Sequence, residues 1–180
     1  DEPDQVLYAV EPQTGRVLFR REGSPRWEPL GPSGSELRMP VEVIYGSPDG
    51  RTLLLGGSGG IFVGDPLTGT MIEGKGTLGS LVLEISCSDA RPADCWASGY
   101  KAGSFAPLFM RSSDAGRSWS PGGAGLGGSS DYVYTLFSPA AGVVLASAGQ
   151  VIFRSADAGA TFTKASGFQQ YPTPVGYAMQ

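Results

Sequence analysis

With 180 residues, 41% of them apolar and 17% charged, the chain is long enough for one domain or for a repeat array with a continuous core, and too apolar to be disordered throughout. Its net charge of −4 comes with 13 scattered basic residues, which offer no concentrated basic face to phosphates, so nucleic acid is not expected as a partner. It has no histidine, which removes the commonest general base and metal ligand, and neither a metal nor another cofactor is expected.

The chain opens on Asp1-Glu2-Pro3-Asp4, acidic and without a charged-then-apolar leader, which reads as a mature N-terminus after signal removal or as the boundary of a cloned segment. From there 28 glycines and 14 prolines punctuate short apolar runs, the mark of many turns and short strands. Residues 5–10 predict a strand, and 15–27 a strand, a tight polar turn and a second strand opening on Trp27. A second unit predicts strands at 41–45 and 52–55 across a Ser47-Pro-Asp-Gly-Arg turn, then a hairpin over 60–71. A third has strands at 81–85 and 95–100 and a hairpin over 107–119; a fourth has 132–137, 143–147 and a hairpin over 149–162. No run approaches the length of a membrane-spanning helix, so direct membrane insertion is not expected.

Cys87 and Cys95 flank the polar turn at 88–94. If the runs on either side pair, the two residues face each other at the mouth of a hairpin and can form a disulfide. Two free buried thiols are the alternative, but the spacing suits a cross-strand bridge and turn-flanking thiols would be exposed. A disulfide implies an oxidising compartment, so the expected location is periplasmic or secreted.

The strand aromatics Phe19, Phe62, Phe109 and Phe153 recur at intervals of 43, 47 and 44 residues. The residues after the turns, Trp27, Met71, Trp119 and Phe162, recur at 44, 48 and 43. Two landmarks that keep one period in the forties, in a chain without helical patterning, point to four-stranded propeller blades. The expected fold is therefore an all-β single domain over residues 1–180, a small β-propeller with four blades of four antiparallel strands. Blade 1 takes 1–32 plus 174–180, blade 2 takes 40–73, blade 3 takes 80–121 and blade 4 takes 131–167. The first unit lacks an inner strand and residues 174–180 supply one, so the C-terminal strand is expected to pair with the N-terminal blade and close the ring. A four-blade stretch of a longer propeller is the alternative.

Two turns share the pattern Ser-x-Asp-x-Gly-x-Ser/Thr-aromatic: Ser112, Asp114, Gly116, Ser118 and Trp119, then Ser155, Asp157, Gly159, Thr161 and Phe162. This resembles the Asp-box (BNR) repeat of sialidase-like and photosystem II assembly factor-like propellers, strongly in the third and fourth units and in outline in the first two. Phe162 departs from the Trp usual in that family. The resemblance implies that the box is a structural turn in the hairpin between the third and fourth strands of a blade. The Asp carboxylate accepts backbone N–H bonds there, Gly takes a left-handed conformation and the aromatic packs between sheets.

In propellers of this type one face carries the loops between the second and third strands and those between blades. Here these loops hold Arg38, Lys75, Lys101, Phe105, Phe168 and Tyr171, and Arg38, Lys101, Phe105, Phe168 and Tyr171 are the candidate partner-binding residues. Leu37-Arg38-Met39-Pro40 resembles the Arg-Ile-Pro element of sialidases, but the three-arginine cluster, the Tyr nucleophile and the acid/base Asp of that chemistry have no matching positions. The chain is thus expected not to be an enzyme. The stretch from Cys87 through Cys95-Trp-Ala-Ser-Gly is similar to those of bacterial extracytoplasmic Asp-box proteins. That likeness implies a protein partner, the extracytoplasmic part of a membrane complex such as a photosynthetic one.

Overall fold

The structure, a computed structural model, describes residues 6–11, 14–31, 37, 39–47, 50–65, 68–104, 106–126, 133–149 and 151–166. Fifteen strands and no helix occur among them. They form four antiparallel sheets taken in chain order. The first holds β1 (Val6–Glu11), β2 (Arg16–Arg21) and β3 (Glu28–Pro29). The second holds β4 (Val41–Gly46), β5 (Leu53–Gly57), β6 (Gly60–Gly64) and β7 (Met71–Glu73). The third is β8 (Ser80–Cys87), β9 (Cys95–Lys101), β10 (Pro107–Ser112) and β11 (Ser120–Pro121). The fourth is β12 (Val133–Ala140), β13 (Val143–Ala148), β14 (Val151–Ser155) and β15 (Thr163–Lys164).

Each sheet is a meander, in which the chain turns back to run beside the strand it has just left. The four landmark phenylalanines occupy equivalent strands, Phe19 on β2, Phe62 on β6, Phe109 on β10 and Phe153 on β14. The inner strands share a feature invisible in the sequence. The register slips by one residue between Val41 and Val43, between Val82 and Glu84, and between Val133 and Thr135, so β4, β8 and β12 carry bulges at equivalent places. A bulge sharpens the local twist of a strand, and these three strands lie side by side, β4 against β8 and β8 against β12.

Sheets stack face to face, so a strand in the middle of a blade is covered on both sides. β5 shows the result: Leu53 and Leu55 are buried against the first sheet while Leu54 is buried against the third. Each such leucine contributes roughly 1.5–3 kcal/mol of apolar burial. Three apolar clusters fill the three successive interfaces. Val17, Leu30, Leu53 and Leu55 join the first two sheets, Leu54, Val82, Ala97 and Trp119 the next two, and Trp96, Phe109, Val144 and Phe162 the last two. Near the inner strands the sheets come so close that a Cβ on Gly56 would lie 2.8 Å from Val82 of the third sheet.

Cys87 and Cys95 face each other in register across β8 and β9 and are joined in a disulfide. Both residues are buried, although they flank a polar turn, because the second sheet covers them. Trp27, which holds the same place in the repeat as Trp119 and Phe162, does not pack between described sheets as they do. It is 43% exposed, against 7% for Trp119 and 4% for Phe162, since no described sheet covers that side of the first sheet. The pairing expected of residues 174–180 with the first sheet, which has three described strands, lies outside the described residues.

Candidate binding face and the serine-aspartate turns

The two Ser-x-Asp turns connect β10 to β11 and β14 to β15 and are built alike. Ser112 Oγ donates to Asp114 Oδ1 (2.7 Å) and accepts the Gly116 N–H (3.0 Å). Ser155 does the same with Asp157 (2.7 Å) and Gly159 (2.9 Å). The Asp carboxylate then takes the N–H and the hydroxyl of the residue four along, Ser118 at 2.8 and 2.6 Å and Thr161 at 2.9 and 2.6 Å. The chain turns through left-handed backbone at Ala115 and Gly116, and again at Ala158 and Gly159. Trp119 closes its own turn by donating Nε1–H to the Gly116 carbonyl. Phe162 lacks that donor, and the neighbouring sheet supplies one: Trp96 Nε1–H donates to the Ala158 carbonyl at 2.9 Å. Gly159 leaves no room for a side chain there, since its Cβ would sit 2.7 Å from Trp96 Nε1.

These bonds set the chemistry of the two carboxyls. For Asp157 the Thr161 hydroxyl, then the Thr161 N–H and the Ser155 hydroxyl, stabilise the anion and hold its pKa at about 2. For Asp114 burial pushes the pKa up, but donation by Ser118, Ser112 and the Arg117 N–H outweighs it and leaves the value below the ordinary one. Both groups are therefore fixed acceptors, ionised near neutral pH and poorly suited to handing over a proton. Glu84 on the inner strand β8 behaves in the opposite way. Burial raises its pKa, and the Leu136 N–H of the next sheet lowers it in part. Among the described residues no three His, Cys, Asp or Glu side chains gather as metal ligands would.

The loop face lies at the other end of the sheets. The turn after β9, closed by the Lys101 N–H donating to the Ala106 carbonyl, meets the loop before β8 where the Ala102 N–H donates to the Gly79 carbonyl at 2.8 Å. Buried Thr77 locks that loop from beneath. Its hydroxyl donates to the Gly74 carbonyl and accepts the Ile61 N–H, both at 2.9 Å, and its carbonyl accepts from Ser80. The clamp holds Leu78 outward, 76% exposed, beside the turn that carries exposed Lys101. Sequence reasoning missed Leu78. Its signal was a lone large apolar residue between Gly76-Thr77 and Gly79, which reads as a loop filler unless the buried threonine is recognised.

Of the expected partner-binding residues, Lys101 is on this face, and Arg38, Phe105, Phe168 and Tyr171 lie outside the described residues. Ser112, Asp114, Gly116 and Trp119 are brought together in one turn, and Ser155, Asp157, Gly159 and Phe162 in the other.

No protein-family model matches the chain, and no curated protein matches it. Solved structures do. An ancestral GH74 enzyme superposes with a TM-score of 0.73 at 15% identity over 92% of this chain. YCF48 from Cyanidioschyzon merolae gives 0.60 at 17% identity over 84%, and YCF48 bound to D1 peptide gives 0.59 at 17% over 85%. The fold is a β-propeller. The chain spans 23% of the length of the GH74 enzyme and 47–48% of the two YCF48 chains, and at these identities the likeness is one of fold. Within the propeller the serine-aspartate turns are wedges between blades, and the end bearing Leu78 and Lys101 is its loop face.

Proposed function

We propose that this propeller is a non-enzymatic, extracytoplasmic protein-interaction module, an accessory or assembly subunit docking on the periplasmic side of a membrane complex such as a photosynthetic one. Its docking face is the loop face around Leu78 and Lys101. The observation that carries this reading is the presentation of Leu78: a large apolar side chain, three-quarters exposed, on a loop whose neighbours Thr77 and Ser80 are buried and hydrogen-bonded. An anchor already held in place loses little entropy on binding. A fold shared with YCF48 bound to D1 peptide supports a peptide segment as ligand. The Cys87–Cys95 disulfide supports an oxidising compartment. The serine-aspartate turns are Asp-boxes in this reading, and their carboxyls are spent on the fold rather than on chemistry.

Burying Leu78 is worth about 1.5–3 kcal/mol, so Leu78→Asp should weaken a partner roughly 10- to 100-fold. A photo-crosslinking residue placed at position 78 in the native host should trap one discrete partner, and Lys101→Glu should abolish the adduct. The same probe at Asp89, in the turn between Cys87 and Cys95, should trap none. Equal labelling from both positions would refute the docking face. Binding of a glycan that is lost in Arg38→Ala would instead favour a carbohydrate-binding propeller.

A further inference from the structure

The hairpin between β2 and β3 has the frame of the serine-aspartate turns with different chemistry in it. The cross-strand pair Leu18–Pro29 matches Met110–Pro121 in the third sheet and Phe153–Lys164 in the fourth. Counted on from those pairs, Arg20 stands where Ser112 and Ser155 stand, Glu22 where Asp114 and Asp157 stand, and Arg26 where Ser118 and Thr161 stand. Trp27 again holds the place of Trp119 and Phe162. The hydroxyl hub is therefore missing from this turn. Instead the Ser24 N–H donates to the Arg21 carbonyl (3.0 Å), and the Arg26 N–H, whose counterparts serve the carboxylate, donates to Ser24 Oγ (3.3 Å). Serine, threonine and aspartate satisfy one another in the third and fourth sheets, whereas Glu22 and Arg26 are exposed.

Arg20 is held by stacking. Its guanidinium carbon lies 5.3 Å from the centre of the Trp27 ring, and its Nε–H is buried without an acceptor among the described residues. It pairs in register with Leu7 of β1, and both Leu7 and Trp27 are exposed on a side that no described sheet covers. A depression of about 410 Å³ opens there, lined by Leu7, Arg20, Glu22, Gly23, Ser24 and Pro25. The surrounding stretch is basic in a chain whose net charge is −4: residues 16–28 hold Arg16, Arg20, Arg21 and Arg26 against Glu22 and Glu28.

We propose that this depression is a docking site for a segment of a partner protein that brings a carboxylate next to an apolar side chain. The carboxylate pairs with Arg20, whose planar fork of N–H groups matches two oxygens and whose stacking on Trp27 already fixes its orientation. The apolar side chain lies against Leu7 and Trp27, which are exposed beside that fork. Charge complementarity selects an acidic segment, because the basic stretch around the depression repels a cationic one. An acidic sugar fits less well. Its hydroxyls need polar partners, and the Ser24 hydroxyl is already engaged by the Arg26 backbone, donating to the carbonyl (3.4 Å) and accepting the N–H. This contact needs nothing from the loop face around Leu78 and Lys101.

The test is calorimetric titration of the full chain with a short, end-blocked peptide of alternating leucine and glutamate, and with the same peptide carrying glutamine for glutamate. The acidic peptide should bind, and the glutamine peptide should bind at least about tenfold more weakly. Arg20→Glu should weaken the acidic peptide at least about tenfold. Arg20→Lys, which keeps the charge and loses the fork, should weaken it less but measurably, and it decides the matter if Arg20→Glu does not fold. Arg117→Glu, the same change of charge on the exposed turn of the third sheet, should leave binding unchanged. No binding of the acidic peptide, equal binding of the glutamine peptide, or binding undiminished in the Arg20 variants would overturn the proposal. Displacement of the peptide by an equal concentration of glucuronate would overturn it in favour of an acidic sugar. Each of these results leaves the crosslinking test at position 78 unaffected.

Discussion

Replacing Ser155 by alanine tests whether the serine-aspartate turn holds the fourth blade together. Ser155 is 1% exposed, and its hydroxyl is the hub of the turn, accepting from Gly159 and Asp157 while donating to the Asp157 carboxylate. Alanine removes the hub without adding bulk and strands the buried Gly159 N–H, which costs about 1–3 kcal/mol. For a chain of this size each kcal/mol moves Tm by about 2–4 °C, so a drop of roughly 2–12 °C is expected. Freeing Asp157 from one of its donors acts in the same direction. Urea denaturation should show a lower midpoint with an unchanged slope, since the surface exposed on unfolding is the same. Ser112→Ala should match it, because the Ser112 bonds repeat those of Ser155. A Ser155→Ala protein as stable as the parent would refute the claim that the hydroxyl organises the turn.

Three further predictions concern other parts of the fold. Gly159→Ala should lower stability by more than about 2 kcal/mol, combining left-handed backbone with a contact that dislodges the Trp96 indole, and a loss below about 1 kcal/mol in chemical denaturation would contradict the wedge. Without reduction neither cysteine should be alkylatable by mass spectrometry. Replacing both with serine should cost roughly 2–3 kcal/mol for the short loop they close, and recovery of alkylated Cys87 from unreduced protein would disprove the bridge. The pH profile carries two opposed signs. Asp157, depressed to about 2, adds stability that is present above pH 4 and lost as pH falls toward 2. Glu84, raised when folded, favours the fold below its ordinary value, and that contribution is lost as pH rises through the folded pKa. Glu84→Gln should flatten stability above about pH 4.5 while leaving the acid limb intact; an unchanged profile would mean the carboxyl is not buried as described.

The repeat was open to sequence reading because its causes are local. A turn that needs left-handed glycine, an Asp to accept from the turn and an aromatic to follow must state those residues at fixed offsets, so the boxes at Ser112 and Ser155 and the strands around Phe109 and Phe153 announced themselves. The disulfide was accessible for a similar reason, since a hairpin's register follows from its turn. Leu78 was not. Nothing in its own residue type shows whether a loop leucine is buried or displayed; that depends on Thr77 reaching Gly74 and Ile61 beneath it.

By itself the sequence determined an all-β chain of four repeated units, with its turns, its cysteine pair and its serine-aspartate boxes, because hydrogen bonding over a few residues and alternating burial leave their marks on composition and spacing. The tertiary structure alone decided which aromatics are covered. Trp27, Trp119 and Phe162 occupy one position in the repeat, yet Trp119 and Phe162 are buried and Trp27 is not. Burial between blades is a property of the neighbouring sheet, and a residue's own segment carries no record of what lies across the interface.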